Sequence, residues 1–237
     1  MIQSLHTAAS GMRAGQKKID NIANNIANVN TVGYKQKRVN FTDALYQTML
    51  NPVEEDQDNN LQRGHGVLVS SVVKDFTKGS YISTDRALDF AINGEGFFAV
   101  ETEEGVRYTR AGNFYSQTVN GENYLVTANG NFVLDGEYNR ITVNDEDELS
   151  SELGVFTFIN PEGLSEEGNN LYQVTEVSGE AETVDNPKVS QGFLEQSNVD
   201  LTEQLTDMMR AQRAYQVASR LVTISDEMEG MANNLRR

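Results

Sequence analysis

Residues 5–29 read LHTAASGMRAGQKKIDNIANNIANV, and within them Leu5, Ala8, Met12, Gly15, Ile19, Ile22, Ile26 and Val29 recur at alternating steps of three and four. Near the other end of the chain Val217, Leu221, Ile224, Met228, Met231 and Leu235 repeat the pattern. A 3.5-residue apolar period makes a stripe too narrow for a helix buried in a globule. It suits one helix packed lengthwise on another. The spacing predicts two long terminal helices that pair in coiled-coil fashion. Such a chain is built to assemble, which points to a structural subunit before any catalytic residue is weighed.

The first helix is expected from about Gln3 to Val29, with Gly33 suited to a left-handed C-cap. Its last turns carry Asn21, Asn24, Asn25 and Asn28. These weak helix formers lie beside the apolar stripe, either as a solvated face or as amides that fix the register of neighbouring helices. Working outward gives four segments: an N-terminal seam helix over 1–33, a connector over 34–80, a β-rich domain over 81–190 and a C-terminal seam helix over 191–237. The fold class is α+β, with paired terminal helices flanking a mainly antiparallel β domain.

In the connector, Phe41, Ala44, Leu45 and Thr48 fit one side of a short helix that Pro52 would end. Glu54 to Asn60 reads as a mobile polar loop. Asp56, Asp58 and Asn60 imitate the start of a calcium loop, but Leu61 stands where glycine is required and Val67 where a bidentate glutamate is required, so no metal is expected. From Tyr81 onward the punctuation is that of hairpins. Asn93-Gly94, Asn120-Gly121, Asn129-Gly130 and Asp135-Gly136 separate short runs such as Phe97–Val100, Val106–Thr109, Tyr124–Thr127 and Phe132–Leu134. Further strands are expected over Val155–Ile159 and Leu171–Val177.

Catalytic options are few. Gly94-Glu95-Gly96-Phe97-Phe98-Ala99 matches a dinucleotide fingerprint as a string, but the residues after the glycines favour a strand, whereas the fingerprint requires a helix N-terminus there. His6 and His65 are the only histidines, and there is no cysteine, so thiol catalysis, disulfides and zinc knuckles are excluded. The expectation is a non-enzyme without cofactors. Net charge is −16 and uneven: residues 1–40 hold six basic side chains against one acid, 41–200 eight against 29, and 201–237 five of each. No basic stripe suited to nucleic acid is present. No apolar run approaches the ~18 residues that suggest a membrane span. The amino end does not read as a cleaved signal peptide, and any export is expected without one.

Ile22 to Lys35, IANNIANVNTVGYK, closely resembles the amino-terminal signature of bacterial flagellar rod and hook proteins. The resemblance continues through FTDALYQT (41–48), LDFAINGEGFF (88–98), YTRAGNF (108–114), residues 189–200 and MMRAQRAY (208–215). It implies a subunit that polymerises helically through its terminal helices into a hollow axle, transmitting torque and letting export substrates pass. It also implies export by the flagellar type III apparatus, location in the basal body, and other rod and hook subunits as partners. The assembly seam would be Leu5, Met12, Ile19, Ile22, Ile26 and Val29 with Val217, Leu221, Ile224, Met228, Met231 and Leu235. Phe41 and Leu45 resemble the Phe-x-x-x-apolar element that engages the export gate. Phe41–Thr48 and Gly64-His65-Gly66-Val67 look most like the distal rod members. A proximal rod or hook-type subunit is the alternative, and a soluble chaperone-like binding module is the alternative of another class.

Overall fold

The computed structural model describes residues 2–49, 61–143, 153–184 and 186–234. It is an α+β protein with one long helix toward each end and a mainly antiparallel β centre. Two compact units emerge: Met1–Ile26 with Lys37–Val73 and Asp200–Arg237, and Ala27–Gln36 with Lys74–Val199.

The first unit holds helix α1, Ile2–Ala27, and helix α2, Leu201–Asn234. Asp200 caps α2: its Oδ1 accepts from the backbone N–H of Thr202 at 2.8 Å and of Glu203 at 3.2 Å. These bonds satisfy N–H groups that have no partner inside the helix, and Glu203 in the first turn suits the dipole. Between the helices in sequence, strand Lys37–Asp43 pairs with Val67–Lys74, and strand Tyr46–Met49 pairs with Leu61–Gly64 in register Tyr46↔Gly64 to Met49↔Leu61. The short helix expected through Phe41, Ala44, Leu45 and Thr48 is therefore corrected to two strands. Their apolar spacing fits a helix by coincidence, and the partner strands that decide the matter lie some 20 residues later. Pro52 and the polar run Glu54–Asn60 lie outside the described residues.

The second unit is built on one nine-stranded sheet. Its path runs 165–168, 171–173, 105–109, 97–102, 132–133, 122–126, 115–119; strand 155–157 pairs with both 97–102 and 182–183. Strand Phe97–Thr102 explains the continuous apolar run at its start. Phe98 and Val100 enter one cluster with Phe90, Phe114, Leu125 and Val133, while Phe97 and Ala99 enter another with Tyr108, Phe156 and Tyr172. A strand buried on both faces shows no alternation. Asn120-Gly121 makes the two-residue hairpin expected of it, both residues at positive φ (56° and 91°) between paired Val119 and Glu122. Asn93-Gly94 does not join a hairpin, because Phe90–Ile92 pairs instead with Val189–Gln191. Strand Tyr115–Val119 was not legible in the sequence: it is an edge strand, largely exposed and without apolar alternation.

Helix α1 stops at Ala27, short of the expected Val29. Gly33 does adopt a left-handed conformation (φ 69°), but not as the helix cap. A Cβ there would lie 2.7 Å from the backbone of Arg110 and Ala111, so this glycine permits a close approach within the β unit.

Candidate functional site

Three contacts set α1 and α2 side by side and antiparallel. Gly15 lies against Tyr215, the position of a Cβ on Gly15 being 3.7 Å from that of Tyr215. Lys18 Nζ is 3.9 Å from the Asp207 carboxylate. Asn25 Nδ2 donates to Gln204 Oε1 at 3.1 Å and to the Lys37 carbonyl at 2.9 Å, while its Oδ1 accepts from Lys37 N–H at 3.0 Å. Asn25 is buried. A half-buried polar stripe thus contains one amide that fixes the register of two helices of the same chain. Asn24 is exposed, and Asn28 Oδ1 accepts from Thr31 Oγ1.

Gln204, Met208, Ala211, Tyr215, Ala218, Val222 and Ser225, again at steps of four and three, are buried or half-buried on α2, and Thr206 and Asp207 are half-buried beside them. The seam read from the sequence is displaced from this face by one residue. Val217 (62% exposed), Leu221 (51%), Ile224 (42%), Met228 (43%) and Met231 (59%) all face outward, and Leu235 lies outside the described residues. On α1, Ile22 is buried and Leu5, Met12, Ile19 and Ile26 are half-buried; Val29 follows the helix, also half-buried. The face toward α1 is rich in small side chains, as is α1 itself at Ala8, Gly11, Ala14 and Gly15. Small residues such as Gly15 let the two helices approach closely, and Val217, Leu221, Ile224, Met228 and Met231 are left uncovered.

Phe41, on a strand, is 38% exposed and Leu45 is 88% exposed. His65 Nδ1 lies 2.8 Å from the Leu45 carbonyl, and the Val67 N–H donates to Ser10 Oγ at 3.3 Å. His65 is thus a loop residue held by backbone. A cleft of about 410 Å³ in the β unit is lined by Asn28, Thr31, Thr109, Asn113, Asn129 and Asn170 among others, with no carboxylate, imidazole or amine. Among the described residues no cluster of histidines and acids could hold a metal ion, and no helix is long and apolar enough to cross a membrane.

The sequence reading missed a buried ionic triad in the β unit. Glu195 Oε1 lies 2.8 Å from Lys35 Nζ, and Oε2 lies 2.6 Å from Arg110 Nε. All three side chains are at most 4% exposed. Arg110 also donates to the carbonyls of Gly96, Gly94 and Ile92. Burial by itself would raise the Glu195 carboxyl, but Arg110 and Lys35 outweigh it and hold the group below the usual carboxylate range. The same burial pulls the Lys35 ammonium down against the attraction of Glu195. Lys35, Arg110 and Glu195 come from three of the sequence blocks quoted above. The available signal was a charged residue inside otherwise small or apolar motifs.

Residues 5–35 match the family described as flagella basal body rod protein, and residues 91–157 the D1 domain of flagellar hook protein FlgE/F/G. Residues 190–235 match the C-terminal family of flagellar basal body rod FlgEFG proteins. The chain is 36% identical to the flagellar basal-body rod protein FlgG of Bacillus subtilis and 38% identical to that of Borreliella burgdorferi, each alignment covering 100% of both chains. It is 34% identical, again over 100% of both, to the flagellar hook-basal body complex protein FlhP of Bacillus subtilis. Full-length identity at this level, with all three family regions in order, shows that the chain belongs to the flagellar basal-body rod proteins.

Proposed function

We propose that this chain is a structural subunit of the distal rod of the flagellar basal body, polymerising helically through its terminal helices into a hollow axle that transmits torque and lets export substrates pass. The observation that carries the reading is the division of α2 into two faces. Gln204, Asp207 and Tyr215 meet α1, while Val217, Leu221, Ile224, Met228 and Met231 stay exposed. Burying a large apolar side chain fully contributes roughly 1.5–3 kcal/mol, so a half-covered one has on the order of 1 kcal/mol still to gain. Five on one helix favour a neighbouring subunit as the cover. The same helices are proposed to form a continuous coiled-coil-like wall with other rod and hook subunits. Identity to FlhP, named for the hook-basal body complex, favours another axial position of the same assembly as the second reading.

Ile224→Asp or Met228→Asp tests this. An unpaired carboxylate buried between subunits costs several kcal/mol. The subunit should be made at normal levels and secreted, yet fail to enter rods, leaving cells non-motile. Normal rods containing either variant would refute the packed wall. Export through the type III apparatus is proposed to use Phe41 and Leu45, whose exposure leaves both accessible. Phe41→Ala should lower secretion in cells that cannot assemble a rod, with cytoplasmic levels unchanged. Unchanged secretion removes the export role.

A further inference from the structure

The chain passes from one compact unit to the other at 26/27, 36/37, 73/74 and 199/200. On the side of the β unit, the segments bordering the last three passages, 33–36, 75–80 and 195–198, are bonded to one another in all three pairings. Between the first two, Asp75 N–H donates to the Gln36 carbonyl at 2.8 Å and Lys35 Nζ to the Thr77 carbonyl at 2.8 Å. Between the first and third, Gln36 N–H donates to Asn198 Oδ1 at 2.7 Å, Gly33 N–H to the Glu195 carbonyl at 2.9 Å, and Lys35 pairs with the Glu195 carboxylate. Between the second and third, Asn198 Nδ2 donates to the Asp75 carbonyl at 2.7 Å and reaches Thr77, while Gly79 N–H donates to Glu195 Oε1 at 2.9 Å. Gln196 N–H also donates to the Ser80 carbonyl at 2.8 Å. A Cβ on Gly79 would lie 2.0 Å from the Gln196 carbonyl oxygen, so the closure of the ring also needs that glycine.

We infer that these three segments form a polar collar, a conformational device that opens and closes as one piece, separately from the nine-stranded sheet. Two features separate it. Of the three segments only Phe76 packs against an apolar core cluster of the sheet, edge-on to Phe97 and Tyr172, and no residue of 33–36 or 195–198 belongs to one. Its bonds are also ionic and amide bonds, whose net contribution is small because desolvation offsets attraction. Regions held this way open at lower free energy than strands packed on both faces. Asn198 and Glu195 are its two hubs, each bonding both other segments. In a rod subunit, the reading proposed above, the three segments would then yield together under load rather than one at a time. The collar itself does not depend on that reading.

The test is amide hydrogen exchange, resolved by segment, on the full chain. Asn198→Ala removes the amide hub, and Lys35→Met removes one arm of the ionic hub with little change of volume. Each variant, although altered at a different bond, should speed exchange at least tenfold in 33–36, 75–80 and 195–198 together. Strands 97–102 and 105–109 should keep their wild-type protection. Asn170→Ala is the control, since Asn170 Nδ2 donates to the Val32 carbonyl just outside the collar. It should leave 75–80 and 195–198 unchanged. Loosening of only the segment nearest each substitution would overturn the collar, as would loss of protection in the sheet to the same degree.

Discussion

At the scale of single residues, Glu195 is the centre of the buried ionic triad. Its carboxylate stands between two buried cations and also accepts from a backbone N–H, so removing it takes from Lys35 and Arg110 the counter-charge they bond and leaves them only backbone carbonyls. Removing one partner of a buried pair costs about 3–5 kcal/mol, whereas the intact pair adds little beyond an apolar replacement. Its pH dependence has a definite sign. The folded-state value is depressed, chiefly because Arg110 and Lys35 outweigh the effect of burial. Such a group contributes stability above the unfolded-state value of about 4.3 and loses it as pH falls through the lower folded value. Thermal unfolding of wild type and Glu195→Gln, compared across pH, should show the widest gap near neutrality. That gap should narrow steadily once the pH drops below the ordinary carboxylate range. A gap independent of pH between neutrality and pH 2 would mean that the carboxylate charge is not what holds the triad.

Among the elements, legibility followed how local the deciding interactions are. The C-terminal helix expected over 191–237 is corrected to a start at Leu201, because 193–195 is a strand paired with Tyr81–Ser83. Its period was read correctly, yet one residue out of phase, because the sequence ranks large apolar side chains above small ones. The face toward α1 is instead marked by Gln204, Ala211 and Ser225, residues that permit closeness rather than supply much apolar area. The doubly buried strand of the sheet was legible from the run Phe97–Val100, and the hairpin at Asn120-Gly121 from its turn dipeptide, which are local signals, whereas the exposed edge strand Tyr115–Val119 was not. The strands Lys37–Asp43 and Tyr46–Met49 were not, since each is fixed by pairing across an intervening stretch of chain. The triad escaped for the same reason: Lys35 and Glu195 are 160 residues apart, and no periodicity connects them. Family blocks located those residues without saying what they do together.

Across the whole molecule, the distribution of charge sets the conditions of assembly. Residues 41–200 carry 29 acids against eight basic side chains, whereas the terminal stretches carry 11 basic side chains against six acids. Exposed acids such as Glu103, Glu104, Glu122, Glu137 and Glu162 belong to the β unit, and the large exposed apolar side chains of α2 belong to the helical one. Two forces of different range therefore act between copies. Like-charge repulsion extends over about 30 Å at 0.01 M salt and about 8 Å at 0.15 M, whereas burial of apolar side chains acts only at contact. Raising salt weakens the first and leaves the second intact. Purified subunit should accordingly polymerise at a lower threshold concentration as sodium chloride rises from about 0.01 M to 0.15 M, followed by sedimentation. Substituting Ile224 or Met228 with aspartate should abolish polymer at every salt concentration, because no screening restores the lost apolar contact. A threshold that rises with salt would show that ionic pairs between copies, rather than the uncovered face of α2, drive assembly.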